Sequence, residues 1–418
     1  MKNLNAKIKE ITEDVLSEIK PSDKEKKQVN NDITNVIMAV NKKLKGAKAI
    51  LGGSGAKDTW IKGNYDADIF VMFNYKKFAD KSDQLSELLL KQLGNTFKLA
   101  RFHGSRDYFQ IKKEDFTFEL VPILEISKAN QAKNITDVSP LHAKYVMKHS
   151  MFNDDIRLLK KFARAQNVYG AESHIKGFSG YAIEIIAIHY KGFSNALREI
   201  SKWKDKIIID PGHNYKNKQE IIRNLNQSKL RSPLVIIDPV DKSRNATAAV
   251  NEEKLNIMII QARNFHKNPS KDFLVEKKFD IDDILKHKKV IAVKIKLVED
   301  KPDIVGSKVI KIHDFIARKL EPFSIVKKGW NFDGRKTACV WFEYKNETIS
   351  EEEIVGGPPL KLDKFVGEFK KKYKKTFNKG NKIYGYKKRE FRNIKDALRS
   401  FLREDYIKEK VMETELLN

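Results

Sequence analysis

The sequence predicts an α+β protein with a mixed sheet near the N-terminus, a helical middle and an α+β C-terminal part. Two observations predict this architecture. Apolar residues recur at helical spacing at the start of the chain and again through its middle. Short apolar runs bounded by turn residues, typical of strands, follow the first helices and return beyond Lys271.

The composition limits the class of protein. The 418 residues are 41% hydrophobic and 10% aromatic, which suits a folded chain of two to four domains. No apolar run approaches the roughly 18 residues of a membrane span, and the first residues lack the apolar stretch of a secretory signal. Cys339 is the single cysteine, which excludes an intrachain disulfide and a cysteine-based zinc cluster. We therefore expect a cytoplasmic protein with no membrane association.

The first 140 residues carry signals for two long helices and a sheet. Apolar residues at helical spacing predict a helix at Leu4–Ile19, which ends before Pro21. Ser22, with Glu25 three residues later, predicts a capping box at the start of a second helix. An amphipathic helix is predicted after them at Leu85–Leu93. The predicted strands are Ala47–Leu51, Asp66–Phe73, Phe97–Phe102, Tyr108–Lys112 and Phe116–Leu124.

The middle of the chain is predominantly helical, and beyond Lys271 strands alternate with short helices. The helices predicted in the middle are Asp154–Gln166, Phe178–Lys191, Ala196–Trp203 and Asn251–Phe265, and the extended segments are Ile207–Asp210 and Leu234–Asp238. Later strands are predicted at Val290–Val298 and Lys336–Tyr344. The residues Gly356–Pro359 predict a break before a basic C-terminal helix.

The charge of the chain favours a polyanionic partner. The formal net charge is +26. A solvated lysine-rich surface could give the same total, but Lys370–Arg389 concentrates ten basic residues and no acidic one around Tyr373, Phe377, Tyr384 and Tyr386. Basic groups beside aromatic rings suit phosphate contacts and base stacking. This cluster predicts binding of RNA or DNA.

A glycine turn followed by two aspartates predicts the chemistry. Within Leu51–Phe73, Gly53 and Ser54 form a turn whose backbone N–H groups can approach phosphate. Asp66, twelve residues beyond the serine, and Asp68 precede an apolar run that predicts a buried strand. Because strand residues two apart share a face, the two carboxylates repel unless a cation such as Mg²⁺ lies between them. Phosphate and metal together predict nucleotidyl transfer.

A two-metal site of this kind needs a further carboxylate, which we expect on an adjacent strand. Glu119 is the best candidate because it lies among apolar residues in Phe116–Pro122, where a buried charge without a cation would be costly. Strand alternation leaves a second interpretation open, in which Phe118 and Leu120 face the core and Glu119 faces water.

Several of these segments resemble a known family. Gly53–Trp60 (GSGAKDTW) and Asp66–Val71 (DADIFV) resemble the signature of the DNA polymerase β-like nucleotidyltransferases. They are most similar to the archaeal-type (class I) CCA-adding enzymes, which build the terminal CCA of tRNA from CTP and ATP without a nucleic-acid template. Further segments similar to this family are Ser139–Val146, Arg157–Phe162, Val168–Glu172, Ile237–Ala249 and Gly357–Pro359. The resemblance spans most of the chain and is weak across about residues 271–353.

The resemblance implies a domain organisation and a set of partners. It implies a polymerase β-like nucleotidyltransferase head in residues 1–140, a central domain completing the nucleotide pocket in residues 141–265, and a tRNA-binding body and tail in residues 266–418. It implies Mg²⁺ as cofactor and CTP, ATP and the acceptor and TΨC stem of tRNA as partners, and it leaves a homodimer open.

The resemblance also assigns roles to residues. Asp66, Asp68 and Glu119 would bind Mg²⁺, although the family pattern has aspartate where this chain has Glu119. The residues that would contact the incoming nucleotide are Gly53, Ser54, Lys57, His142, Lys160, Tyr169 and Arg244, the arginine recognising the Watson–Crick edge of C or A. Purely structural roles remain open for them, as does Lys161 in place of Lys160. The RNA-binding residues implied in the tail are Lys371, Lys372, Lys374, Lys375, Lys387, Lys388 and Arg389.

Two other functions stay open from the sequence. Another polymerase β-like RNA nucleotidyltransferase, such as a poly(A) polymerase or an oligoadenylate synthase, would share the glycine turn and the aspartates. A catalytically dead RNA-binding protein would keep the fold and the basic C-terminal region without the chemistry.

Overall fold

The computed structural model describes residues 2–63, 67–113, 116–287, 289–298 and 302–417, the side chains of residues 2, 3 and 113 excepted. The chain divides into two compact units, Met1–Lys277 and Lys278–Asn418. Within the described ranges, no helix combines the length and the apolar character that crossing a bilayer requires.

Two long helices open the N-terminal unit, as predicted. Helix α1 spans Lys2–Ile19 and α2 spans Asp23–Asn41. The Ser22 side chain accepts from the backbone N–H of Glu25, and the Glu25 carboxylate accepts from the backbone N–H of Ser22, which confirms the predicted capping box.

A mixed five-stranded sheet follows, with strand order β1-β2-β5-β4-β3. The strands are β1 (Ala47–Leu51), β2 (Ala67–Asn74), β3 (Ala100–Phe102), β4 (Tyr108–Lys113) and β5 (Phe116–Glu125), with helices α3 (Gly53–Lys57), α4 (Tyr75–Phe78) and α5 (Leu85–Leu93) between them. Strands β2 and β5 run parallel, and every other neighbouring pair is antiparallel. The strand predicted at Phe97–Phe102 is shorter than expected, because only its last three residues pair with β4.

The core of this sheet lies between β2 and the helices packed on it. Ile69, Val71 and Phe73 of β2 are fully buried with Leu85 and Leu89 of α5. The continuous apolar run predicted a buried strand because a strand with both faces covered has no polar side to alternate with.

The rest of the N-terminal unit is mainly helical. Its elements are α6 (Ser139–Met147), α7 (Asn153–Ala165), α8 (Gly180–His189), α9 (Phe193–Ile200), β6 (Ile207–Ile209), α10 (Lys218–Asn224), β7 (Leu234–Ile236) and α11 (Glu252–Lys267). Strands β6 and β7 pair in parallel. Residues Ala182–Ile188 of α8 are buried all round, so this helix is the centre of the layer. The helices predicted here are confirmed, with ends shifted by one to three residues.

The C-terminal unit contains two antiparallel sheets. Its elements are α12 (Ile281–Leu285), β8 (Val290–Leu297), α13 (Pro302–Lys319), β9 (Ile325–Phe332), β10 (Thr337–Tyr344), β11 (Glu352–Pro359), α14 (Asp363–Lys372), β12 (Thr376–Lys379), β13 (Lys382–Lys388), α15 (Ile394–Phe401), α16 (Asp405–Lys408) and β14 (Val411–Leu417). The strand orders are β14-β8-β10-β9 and β11-β13-β12. Helix α13, at 18 residues, contradicts the prediction that the helices here are short.

A helix follows Gly356–Pro359, as predicted, but it covers only the first part of the basic segment. Helix α14 ends at Lys372, and Lys379, Lys382, Lys387 and Lys388 lie in the β12–β13 hairpin, which turns at Gly380 with φ +62°. The residues Gly356–Pro359 do not break the chain but belong to β11, an edge strand where proline is tolerated. Aromatic residues at every second position in Tyr384–Tyr386 favour a strand over a helix.

Candidate active site

Two of the three predicted carboxylates lie side by side on the five-stranded sheet. Asp68 on β2 is the register partner of Glu119 on the parallel neighbour β5, and both side chains are partly buried. Gln110 on β4 donates from Nε2 to Glu119 Oε1 at 2.8 Å. Glu119 therefore lies beside Asp68 within a polar row that crosses the sheet. Asp66 lies outside the described residues.

The electrostatics of this row suit a cation. Burial raises the pKa of Tyr108 to about 12, and the negative charges of Glu119 and Asp68 contribute to the shift. Carboxylate oxygens are the hard ligands that divalent cations prefer. Among the described residues no group of three or more His, Cys, Asp or Glu is arranged to hold a metal ion, and the predicted set of three includes Asp66, which lies outside them.

The glycine turn lies directly against Asp68. The backbone N–H of Gly52 donates to the carbonyl of Asp68 at 2.7 Å. Gly53 has φ +55°, and a Cβ built on it would lie 1.6 Å from Asp68 Oδ2. Only glycine fits here, because any side chain would occupy the position of the carboxylate. The Ser54 carbonyl accepts from the backbone N–H of Thr59 at 3.1 Å, which fixes the short helix α3 after the turn.

Lys57 and Lys160 meet at a buried carboxylate that the sequence did not predict. Glu184 on α8 has no exposed side-chain surface, and its oxygens accept from Lys57 Nζ at 2.7 Å and Lys160 Nζ at 2.8 Å. Burial alone would oppose ionisation, but the charges of Lys160 and Lys57 outweigh it and lower the pKa of Glu184 to about 2. We call these three residues the Lys57–Glu184–Lys160 cluster.

The two lysines differ in how their donors are used. Lys160 Nζ also donates to the carbonyl and hydroxyl oxygens of Thr59, so its three N–H groups all have protein acceptors. Lys57 Nζ makes one hydrogen bond to the part of the chain that is described, and its side chain is 12% exposed. Lys161 points elsewhere and pairs with Glu276 at 2.7 Å. Lys160, not Lys161, is thus the lysine beside the glycine turn.

A buried arginine holds the segment after the glycine turn against α7. Arg157 donates from Nε to the carbonyl of Trp60 at 2.9 Å and from Nη2 to the Asp58 carboxylate at 2.6 Å. Asp58 is in the left-handed region with φ 49°, where α3 ends. These contacts fix the position of Lys57 relative to α7.

A second buried carboxylate organises His142 and Arg244. Asp238 Oδ2 accepts from His142 Nε2 at 2.9 Å and from Arg244 Nη1 at 2.7 Å, and Oδ1 accepts from the Tyr181 hydroxyl at 3.0 Å. Burial opposes its ionisation, but the hydrogen bond from His142 and the nearby positive charges lower the pKa of Asp238 to about 2. The Tyr181 and His142 rings stack with centroids 3.9 Å apart.

Tyr169 lies against the start of α8. A Cβ at Gly180 would be 2.8 Å from the Tyr169 hydroxyl, and the Arg164 guanidinium lies 4.8 Å from the ring centroid. Burial raises the pKa of Tyr169, with a contribution from Glu184. The predicted nucleotide contacts therefore form two groups, one around Glu184 beside the glycine turn and one around Asp238.

Comparison with known proteins identifies the family of this chain. The family model of the nucleotidyltransferase domain matches residues 33–145, that of the tRNA nucleotidyltransferase second domain matches 154–275, and that of the CCA-adding enzyme C-terminal domain matches 287–412. The CCA-adding enzyme of Nanoarchaeum equitans is 35% identical over 326 residues, covering 77% of this chain and 79% of that protein. The chain belongs to the CCA-adding enzyme family.

Other similar proteins agree with this assignment. The CCA-adding enzyme of Methanocaldococcus jannaschii is 28% identical over 416 residues, covering 94% of this chain and 91% of that protein. A solved structure of the Cid1 RNA terminal uridylyl transferase superposes with a TM-score of 0.51 at 14% identity, over 65% of this chain and 99% of that one, which shows the nucleotidyltransferase fold alone. CCA-adding enzymes act on tRNA with nucleotide substrates, and the nucleotidyltransferase superfamily uses divalent metal ions.

Sequence reasoning missed the carboxylates that hold the predicted CCA-adding site residues in place. Glu184 interrupts an otherwise apolar helix, and an acid in such a run signals a buried ion pair. Asp238 stands in a segment that resembles the family, yet nothing local marks it as the partner of His142, 96 positions earlier.

The predicted RNA-binding residues of this CCA-adding family member lie in the C-terminal unit, on different sides of the β11-β13-β12 sheet. Lys371 and Lys372 end α14. Arg389 and Lys387 pair with Glu353 at 3.0 and 3.5 Å. The remaining three, all exposed, are Lys374, Lys375 and Lys388.

Proposed function

We propose that this protein adds the 3′-terminal CCA to tRNA by template-independent nucleotidyl transfer from CTP and ATP, with release of diphosphate. The observation that carries this is the apposition of Asp68, Glu119 and the glycine turn in a chain of the CCA-adding enzyme family. A catalytically dead protein would have no need of a carboxylate row that abuts the glycine turn.

Asp66, Asp68 and Glu119 are proposed to hold Mg²⁺. The register pairing of Asp68 with Glu119 and the hydrogen bond from Gln110 that orients Glu119 support this donor set. Bound there, the metal ions would neutralise the charge of the triphosphate and favour loss of the proton from the attacking hydroxyl.

The protein's own residues are proposed to position the nucleotide. The Gly53–Ser54 turn and Lys57 hold the triphosphate, since the turn offers backbone donors and Lys57 makes one hydrogen bond, to Glu184, within the described part of the chain. Tyr169 and Lys160 support this end of the pocket. His142 and Arg244, held by Asp238, contact the base.

The reaction then depends on placement. The tRNA 3′-hydroxyl attacks the α-phosphate in line, the new phosphodiester bond forms, and the bond to the diphosphate breaks. Lys57 balances the charge that develops on the leaving diphosphate, and the fixed turn keeps the phosphate in place without reorganisation.

The C-terminal unit is proposed to bind the acceptor and TΨC stem of tRNA. A-form RNA is recognised through its backbone and shape, which suits the basic residues from Lys370 to Arg389. The division into a head (residues 1–140), a central domain (141–265) and a body and tail (266–418), a cytoplasmic location and a homodimer belong to the same proposal.

A tRNA transcript that lacks its 3′ end tests the proposed function. With labelled CTP and ATP, the product should grow by two C residues and one A, and growth should require Mg²⁺. A long A-tract would instead indicate a poly(A) polymerase. Binding of tRNA without metal-dependent incorporation would indicate a protein without catalytic activity.

A further inference from the structure

The β11-β13-β12 sheet of the C-terminal unit has two chemically different faces. In register, Tyr386 on the central strand β13 lies opposite Ile354 on β11, and Tyr384 lies opposite Phe377 on β12. Because side chains alternate along a strand, these four residues share one face. We call it the aromatic face.

Helix α14 covers the opposite face. A Cβ on Gly385 would lie 2.8 Å from Tyr373 and 3.1 Å from Phe369, and a Cβ on Gly357 would lie 2.9 Å from Phe369. The rings of Phe369 and Tyr373 are 4.6 Å apart. The two glycines thus leave room for Phe369 of α14 and for Tyr373, which follows it. This face of the sheet is therefore packed against the helix.

The aromatic face is open to solvent. Ile354 is 59% exposed and Tyr386 is 38% exposed, while Phe377 and Tyr384 are partly buried. The Phe377 ring centroid lies 5.5 Å from those of both Tyr384 and Tyr386. The Tyr384 ring also lies beside Gly356, which has no side chain to cover it. The result is a row of contacting rings on an exposed sheet surface.

Basic residues surround these rings. Alternation along β12 and β13 places Lys379, Lys382 and Lys388 on the aromatic face, and Lys375 lies opposite Tyr386. Two acids lie beside these lysines: Glu352 is 3.4 Å from Lys375 and Glu351 is 3.3 Å from Lys388. Both contacts are between exposed groups and are therefore weak. A cavity of about 960 Å³ opens here, lined in part by Ile354, Tyr386 and Lys388.

We propose that the aromatic face binds unpaired nucleotides of an RNA, whose bases stack on Tyr384, Tyr386 and Phe377 while Lys375 and Lys388 contact phosphates. Stacking needs a free base surface, which a paired helix does not offer, whereas lysines alone would bind any polyanion. That the bound polymer is RNA rests on the proposed function. It adds a stacking site that is separate from the lysines at the end of α14.

The test is binding of the full-length protein to a short single-stranded RNA and to a blunt RNA duplex, followed by fluorescence anisotropy. Tyr386→Ala should weaken single-strand binding roughly tenfold, since a stacked base contributes about that factor. It should leave duplex binding and the salt slope of the affinity unchanged, because the variant keeps every lysine. Tyr386→Phe should bind as wild type, and Tyr386→Leu as the alanine variant, because the ring is what the base needs.

Matched variants test the aromatic face. Tyr406 is a tyrosine of the same unit with the same 38% exposure, so Tyr406→Ala should not alter binding. Lys388→Ala should flatten the salt slope, whereas the control Lys408→Ala, at an exposed lysine of α16 in the same unit, should change it little. Wild-type affinity of Tyr386→Ala for single strands, or equal binding by the leucine and phenylalanine variants, would overturn the proposal and favour a protein partner. CCA addition is assayed separately on tRNA, so its absence bears on the proposed function alone.

Discussion

Glu119 and Asp238 show how differently two carboxylates can be specified by one sequence. The pairing of Asp68 with Glu119 was predictable, because a buried strand after the first acid and a later strand with an acid among apolar residues both indicated neighbouring strands of one sheet. The role of Asp238 was not, since its partners His142, Tyr181 and Arg244 come from separate segments and their meeting depends on tertiary packing.

For Glu119 we predict that the charge matters more than the length of the side chain. Glu119→Gln should lower nucleotide incorporation roughly a hundredfold, because a neutral amide is a poor metal ligand beside Asp68. Glu119→Asp should retain most activity. Single-turnover incorporation on tRNA measures both. Glu125→Gln, at the exposed end of the same strand, is the control and should behave as wild type; full activity of Glu119→Gln would contradict a metal-binding role.

For Asp238 we predict an effect on nucleotide choice. Asp238→Asn should reduce the preference for CTP and ATP over UTP and GTP about tenfold, because Arg244 and His142 lose a charge-assisted acceptor that fixes their direction. The ratio of kcat/KM values for right and wrong nucleotides measures it. Asp241→Asn, in the same loop, should leave the ratio unaltered. An equal loss for all four nucleotides would mean that Asp238 only maintains the fold.

Helices and strands were predicted well where the pattern of apolar and capping residues lies within one continuous segment of the chain. The capping box at Ser22 and the buried strand β2 followed directly from residue order. The basic segment was predicted as a helix, yet only its first residues are helical, and the alternation of Tyr384 and Tyr386 favours the strand that is found. Its strand pairing is fixed by β11, whose residues lie more than twenty positions earlier.

Glu184 on helix α8 should contribute strongly to the free energy of unfolding of the N-terminal unit. Glu184→Gln should destabilise the protein by about 3–5 kcal/mol, because two buried ammonium groups lose their counter-charge. Urea unfolding measures the change. Glu199→Gln on the neighbouring helix α9, whose ion pairs are more exposed, should cost less than about 1 kcal/mol.

The same carboxylate predicts a pH dependence with a definite sign. Its pKa is about 2 in the folded protein and 4.5 as the ordinary value, so its stabilising effect is complete above pH 4.5 and is lost as the pH falls towards 2. The difference in unfolding free energy between wild type and Glu184→Gln should therefore shrink over that range. A constant difference would show that the ion pairs contribute nothing.

At the scale of the whole molecule, the charge excess is distributed unevenly. Among the described residues, Lys371, Lys372 and Lys374 form no ion pair, whereas Lys375, Lys387 and Lys388 pair with the acids Glu352, Glu353 and Glu351. The total of +26 was readable from composition, but this partial neutralisation depends on strand register.

Reversing the charge of this surface should weaken tRNA binding. Replacing Lys371, Lys372, Lys374 and Lys375 by glutamate should lower affinity and flatten its salt dependence, by about 0.9 in log–log slope for each phosphate that the protein no longer neutralises. A filter-binding titration at several salt concentrations measures the slope. The control reverses four exposed lysines of the N-terminal unit, Lys24, Lys27, Lys42 and Lys43, with the same change in net charge. An unchanged slope in the first variant would place the RNA elsewhere.

The Lys57–Glu184–Lys160 cluster has a consequence for the order of events during protein synthesis. Lys57 and Glu184 are 127 positions apart. At about 5–20 residues per second, a ribosome makes Glu184 roughly 6–25 seconds after Lys57. The five-stranded sheet with Asp68 and Glu119 can form within that interval. The ion pair of Lys57 cannot form, because Glu184 has not yet been synthesised. A nascent chain therefore acquires the glycine turn early and the fixed charge beside it late, when α8 has left the ribosome.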